Sequence, residues 1–201
     1  MSTKQATTAK LNHIQQDDRS IFGFWVYIMT DCVLFASLFA TYVVLHLNNN
    51  GGPTAHALFD LPYALTETLI LLTSSFTCGM AILAAGKNHR NKTLIWLGVT
   101  FAMGLVFLGM EILEFNKFVS MGDSWTRSGF LSAFFTLVGT HGLHIMIGLL
   151  WMGVVGYKII TAGLNRNNLR RLTMLSLFWH FLDVIWIFIF TIVYLMGGLG
   201  V

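Results

Sequence analysis

Three pairs of side chains that can hold protons or metal ions recur at one spacing in this sequence. Glu111 and Glu114, His141 and His144, and His180 and Asp183 are each three residues apart. On a helix such neighbours share a face, so each pair presents two polar teeth on one side. Two further acids, Asp31 and Glu67, stand alone in apolar surroundings. Three kinds of chemistry fit. E-x-x-E, H-x-x-H and H-x-x-D on three helices could supply a di-iron set, because helical bundles build such sites from inward Glu and Glu-x-x-His motifs. His141 and His180 could be the two axial ligands of a haem. Alternatively, imidazole and carboxylate hydrogen-bond across helices as a structural network without a metal, the usual outcome for a lone histidine in an apolar span.

The elements that must position these groups follow from composition. Of 201 residues, 55% are apolar and only 10% charged. Soluble domains carry about 25% charged residues, so the solvent implied here is lipid. A spanning helix needs about 20 mostly apolar residues. Five runs qualify, at about 21–47, 62–86, 93–118, 129–158 and 172–198. The expected fold is therefore all-α, a single five-helix transmembrane domain over 21–201. The polar stretch 1–20 reads as a flexible tail and lacks the pattern of a signal peptide. NNNGGPTAHALFDLP and MGDSWTRSG read as chain reversals. Cys32 and Cys78 lie in apolar runs without C-x-x-C spacing and read as small buried hydrophobes.

The net charge of +3 does not describe a nucleic-acid surface, because the basic residues cluster in short loops. Ten of the twelve lie in the tail (Lys4, Lys10, Arg19), in KNHRNK (Lys87, Arg90, Lys92) and between Lys158 and Arg171. With five spans these segments share one side, leaving Lys117 and Arg127 on the other. The positive-inside rule then sets the N-terminus in the cytoplasm and the C-terminal GGLGV in the periplasm. At about 1.5 Å per residue, Asp31 and Asp183 fall near mid-span, with His141, His144 and His180 within about 6 Å of that level. Glu67, Glu111 and Glu114 fall nearer the outer face. This offset separates the Glu pair from the His pairs and argues against one metal collecting both. Ionisable groups at mid-depth cost about 2.5–3.5 kcal/mol each and are expected to face protein. Small residues four apart (Ser75 and Gly79, Gly98 and Ala102, Ser132, Thr136 and Thr140) are expected to be helix-packing faces.

GMEILEF (109–115), GTHGLHIMIGLLW (139–151) and SLFWHFLDVIWIFIFTIVYLMG (176–197) together resemble subunit III of the haem-copper respiratory oxidases. IFGFWVYIMTDCVLFASLFATY (21–42) resembles the first helix of its five-helix version. The resemblance covers nearly all of the chain from Ile21 onward. It is greatest to the quinol-oxidising branch, the cytochrome o or bo type. Mitochondrial-type members have seven helices, of which this chain lacks the first two, and carry Glu where Asp31 stands.

The resemblance implies a non-catalytic subunit III of a proton-pumping terminal oxidase in the bacterial inner membrane. That complex would oxidise ubiquinol and reduce oxygen to water. Haems and copper would reside in subunit I, the main contact, with subunits II and IV beside it. This chain would bind no metal or haem; it would stabilise subunit I, hold phospholipid and support proton uptake. On this reading Glu111, Glu114, His141, His144, His180 and Asp183 form an interhelical polar network, while Asp31 and Glu67 are buried carboxyls of open role. The competing expectations are subunit III of a cytochrome c oxidase, a stand-alone membrane di-iron or haem protein, and a small proton-coupled transporter. The transporter fits least, because no inverted repeat or matching broken span is visible.

The topology has a direct check. A reporter fused after Val201 is expected to be active only outside the cytoplasm, and one fused near Arg166 only inside. The opposite pattern overturns the five-span orientation.

Overall fold

The computed structural model describes residues 3–45, 61–120 and 129–195. The described residues form five helices and no strand: α1 (Thr3–Leu45), α2 (Leu61–Gly86), α3 (Arg90–Ser120), α4 (Gly129–Ala162) and α5 (Arg166–Ile189), the last continued by a π-helical turn, Phe190–Leu195. Each contains a stretch long and apolar enough to cross a membrane. Spans α3 and α5 begin earlier than expected, at Arg90 and Arg166. Long basic side chains at a helix end carry their charge to the interface while the helix continues. Residues 3–20, expected as a flexible tail, are instead helical. That stretch has no Gly or Pro and holds three Gln, two Ala and two Lys, which favour helix. The reversals expected over 48–62 and 121–129 fall mostly outside the described residues, and the terminal GGLGV lies wholly outside them.

The two described reversals are built from local chemistry. After α2, Asn88 adopts a left-handed backbone (φ 57°), a conformation that Asn tolerates better than most residues. The Asn88 and His89 amides then bond the Ala85 and Ala84 carbonyls at 2.9 and 3.0 Å. Gly163, at φ 72°, ends α4. Asn168 folds back from α5 and donates to the Gly163 carbonyl at 2.8 Å, tying the turn shut.

The chain separates into two compact parts, residues 1–36 and 37–201. In the first part, Asp31 is buried and lies one turn from Tyr27 on the same helical face. Cys32 is exposed rather than buried. In lipid an outward-facing apolar side chain costs nothing, so an apolar run does not reveal which of its residues face inward.

In the second part, α2 to α5 close into a four-helix bundle, each packed on the next and α5 returning against α2. Its centre is an aromatic column on α5. Trp179, Trp186 and Tyr194 are all buried. Trp179 presses on Gly148 of α4 and on Gly104 of α3, where a Cβ would lie 2.8 Å from the indole. The Trp186 ring packs edge-on against Phe107, with ring centres 4.7 Å apart. Tyr194 meets Phe134 of α4 at 6.2 Å. The column climbs α3 in the same direction and descends α2 and α4, as alternating spans require. Seven α-helical residues separate the two tryptophans, a step that drifts by only about 20°. Eight separate Trp186 from Tyr194. The π-turn absorbs the extra residue, so the tyrosine stays in the column.

The small-residue faces expected at Gly79 and Gly98 are not close contacts, since neither glycine has a neighbour where a Cβ would stand. Ser132 and Thr136 are exposed, and Thr136 spends its hydroxyl on the Ser132 carbonyl of its own helix at 2.7 Å. Close approach occurs instead at Gly104, which faces Leu149 and Trp179, at Gly148, which faces Trp179 and Phe178, and at Gly142, which faces Glu111.

Candidate functional site

The polar side chains of the bundle are arranged around the aromatic column. An indole N–H cannot be left unbonded in an apolar core without cost. Trp179 donates to Ser74 Oγ at 3.0 Å, and Trp186 to Thr68 Oγ1 at 3.1 Å. Both acceptors belong to α2, and each already spends its own hydrogen on a helix carbonyl: Ser74 on Leu71 at 2.7 Å, Thr68 on Ala64 at 2.8 Å. Each hydroxyl therefore offers a lone pair to the indole, and donor and acceptor roles close without remainder. One turn further along α2, Thr77 meets Thr100 of α3, with hydroxyl oxygens 2.8 Å apart.

The carboxyl groups gather at the end of the column marked by Tyr194. Its hydroxyl donates to Glu114 Oε2 at 2.7 Å. Tyr63 on α2 donates to the Met110 carbonyl on α3 at 2.9 Å. Glu67 is fully buried, with Glu114 and Glu111 as the charged groups that act on it. Glu111 is also buried, and its carboxyl lies on the backbone of Gly142, where a Cβ would be 2.6 Å from Oε2. Next to that glycine, His141 is enclosed by rings, edge-on to Phe107 at 6.1 Å and tilted against Trp186 at 5.2 Å.

The other predicted residues stand apart from this group. His144 Nδ1 donates to the Thr140 carbonyl of its own helix at 2.7 Å. His180 Nδ1 does the same to Ser176 at 2.6 Å, and its side chain is exposed on the chain surface. Asp183 is buried beside Ser75 of α2, with His180 near it on α5. The structure thus brings Glu111, Glu114, Glu67 and His141 around one end of the column. It leaves His144 and His180 tied to their own helices and Asp31 in the other compact part. Among the described residues, no three His, Cys, Asp or Glu side chains come together in a way that could hold a metal ion. Sequence reasoning missed Thr68, Ser74, Tyr63, Tyr194 and Gly142. The available signal was two tryptophans seven apart, each needing an acceptor, and hydroxyl residues six apart on an apolar helix.

The sequence has known relatives. The family model of cytochrome c oxidase subunit III matches residues 4–198. The chain belongs to that family. It is the subunit III of the haem-copper oxidases, a multi-pass membrane protein and a member of an oxidase complex. It is 57% identical over 180 residues to the cytochrome bo(3) ubiquinol oxidase subunit 3 of Pseudomonas aeruginosa, covering 90% of this chain and 86% of that one. It is 52% identical to the protein of the same name from Pseudomonas putida, over 90% of this chain and 87% of that one. It is 46% identical to the cytochrome c oxidase subunit 3 of Bacillus sp. strain PS3, over 94% of this chain and 91% of that one. The resemblance read from HGLH and WHFLDVIW is thereby established for the chain as a whole.

Gly142 gives the site a sharp test in this subunit III. Gly142→Ala pushes a methyl into the Glu111 carboxyl, and overpacking of this kind costs about 1–3 kcal/mol. The variant is expected to lower the thermal midpoint of the purified oxidase and the fraction of subunit III it retains. Gly142→Ala combined with Glu111→Ala is expected to recover part of the loss. Retention equal to wild type in the single variant contradicts the packing described.

Proposed function

We propose that the chain is the non-catalytic subunit III of a quinol-oxidising, proton-pumping terminal oxidase of the bacterial inner membrane. Its N-terminus faces the cytoplasm and its C-terminus the periplasm. It packs against subunit I, which carries the haems and copper, with subunits II and IV in the same complex. It holds phospholipid and sustains proton uptake, while the bond chemistry occurs elsewhere. The observation that carries the choice of donor is the 57% identity to a relative named for ubiquinol. The orientation is supported by the ten basic residues that share one side of the five spans.

The six polar residues belong to this reading as structural groups rather than ligands, with Glu114 tying two helices together and His144 and His180 held to their own. Support comes from the character of their bonds: the Tyr194–Glu114 contact crosses between helices, and the imidazoles of His144 and His180 cap carbonyls of their own turns. Asp31 and Glu67 enter this reading as buried carboxyls of open role. A cytochrome c donor is the second reading, favoured by the 46% identity to the Bacillus protein of that name.

The donor is decided on the purified complex. Oxygen consumption is expected with ubiquinol and not with reduced cytochrome c. The reverse preference moves the complex to the second reading.

A further inference from the structure

The three glutamates at the Tyr194 end of the column are more than the interhelical ties need. Glu67 and Glu111 are 0% and 2% exposed. All four of their carboxyl oxygens lack a hydrogen-bond partner among the described residues. They come from two helices and lie within electrostatic reach of each other and of Glu114. Among the described residues, the groups around them are Tyr63 from α2, Glu114 from α3, Gly142 from α4 with His141 next to it, and Tyr194 from the π-turn. The Glu111 carboxyl occupies the space where a Cβ at position 142 would stand, so the glycine there leaves it its place.

Buried carboxylates without donors are strongly disfavoured, and like charges this close add to the cost. The missing component is a donor hydrogen. No basic side chain reaches the oxygens of Glu67 or Glu111 among the described residues. We propose that Glu67, Glu111 and Glu114 form a proton-binding cluster inside subunit III, in which bound protons, rather than a cation, join the three carboxyl groups. Each proton converts one carboxylate oxygen into an O–H that donates to a neighbouring carboxyl, and Tyr194 supplies the remaining donor to Glu114. The cluster sits near the N-terminal end of α2 and the C-terminal end of α3, away from the basic turn Lys87–Arg90. It goes beyond the role proposed above and does not depend on the electron donor.

Infrared spectroscopy of the purified oxidase near neutral pH tests this. The spectrum of the intact complex minus that of complex stripped of subunit III is expected to contain a carboxylic-acid carbonyl band that shifts down in D2O. Glu67→Gln and Glu111→Gln are each expected to remove part of it, and the double variant more than either, with subunit III stoichiometry measured on the same samples. Where a glutamine variant does not assemble, Glu→Asp at that position keeps the acid and is expected to move the band. The proposal is overturned by an intact-minus-stripped difference without an acid band, by variants that remove only ionised-carboxylate absorbance, or by a band indifferent to every substitution at both positions.

Discussion

Burying a tryptophan between membrane helices carries a condition, because its N–H must find an acceptor where there is no water. The bundle meets that condition twice along α5, and both acceptors come from α2. Trp179 on Ser74 and Trp186 on Thr68 set the register of two helices that are far apart in sequence. They run antiparallel, so the two bonds together leave no freedom to slide. The remaining helices are then placed by shape. Gly104 and Gly148 admit the Trp179 ring from either side, and Phe107 closes on Trp186. In lipid, where apolar burial between helices has little driving force, such packing and hydrogen bonding must supply the specificity.

The end of the column depends on a local departure from helical geometry. The π-turn at Phe190–Leu195 lets Tyr194 continue a stripe that an uninterrupted α-helix would rotate away. Its hydroxyl reaches Glu114, and the carboxyls of Glu67 and Glu111 gather beside it. The acids read as nearest the outer face thus become buried groups of the bundle. His144 and His180 bond carbonyls of their own turns, and Asp183 lies beside the Ser75 hydroxyl. This division gives subunit III a structural middle and a proton-rich end.

Much of this was legible in the residues. Five apolar runs defined five spans because the lipid thickness sets a minimum length that few soluble segments reach. The i, i+3 pairs identified polar faces, but the expected separation of the Glu pair from the His pairs does not hold for His141, which stands next to the glycine that carries the Glu111 carboxyl. What could not be read was direction around each helix. In lipid both faces of a span are apolar, so Cys32 looked as buried as Cys78, and Gly98 was read as a contact while Gly104 was passed over. The pairing of Trp186 with Thr68 spans 118 positions and depends on the antiparallel register of two helices, which no local pattern encodes. The helix over residues 3–20 was missed because polarity was weighed above the absence of helix breakers.

The central claim is that the polar groups along α5 tie the subunit together and take no part in oxygen reduction. A double-mutant cycle on Trp186→Phe and Thr68→Val, measured in the assembled oxidase, tests it most directly. Each variant is scored for subunit III retention in detergent and for the initial rate of oxygen consumption per complex that still contains the subunit. Hydrogen bonds between membrane helices are worth about 0.6 kcal/mol on average and about 1.7 at most. The account predicts a coupling within that range in retention, with initial rates near wild type throughout. Full retention combined with a collapsed initial rate would contradict it.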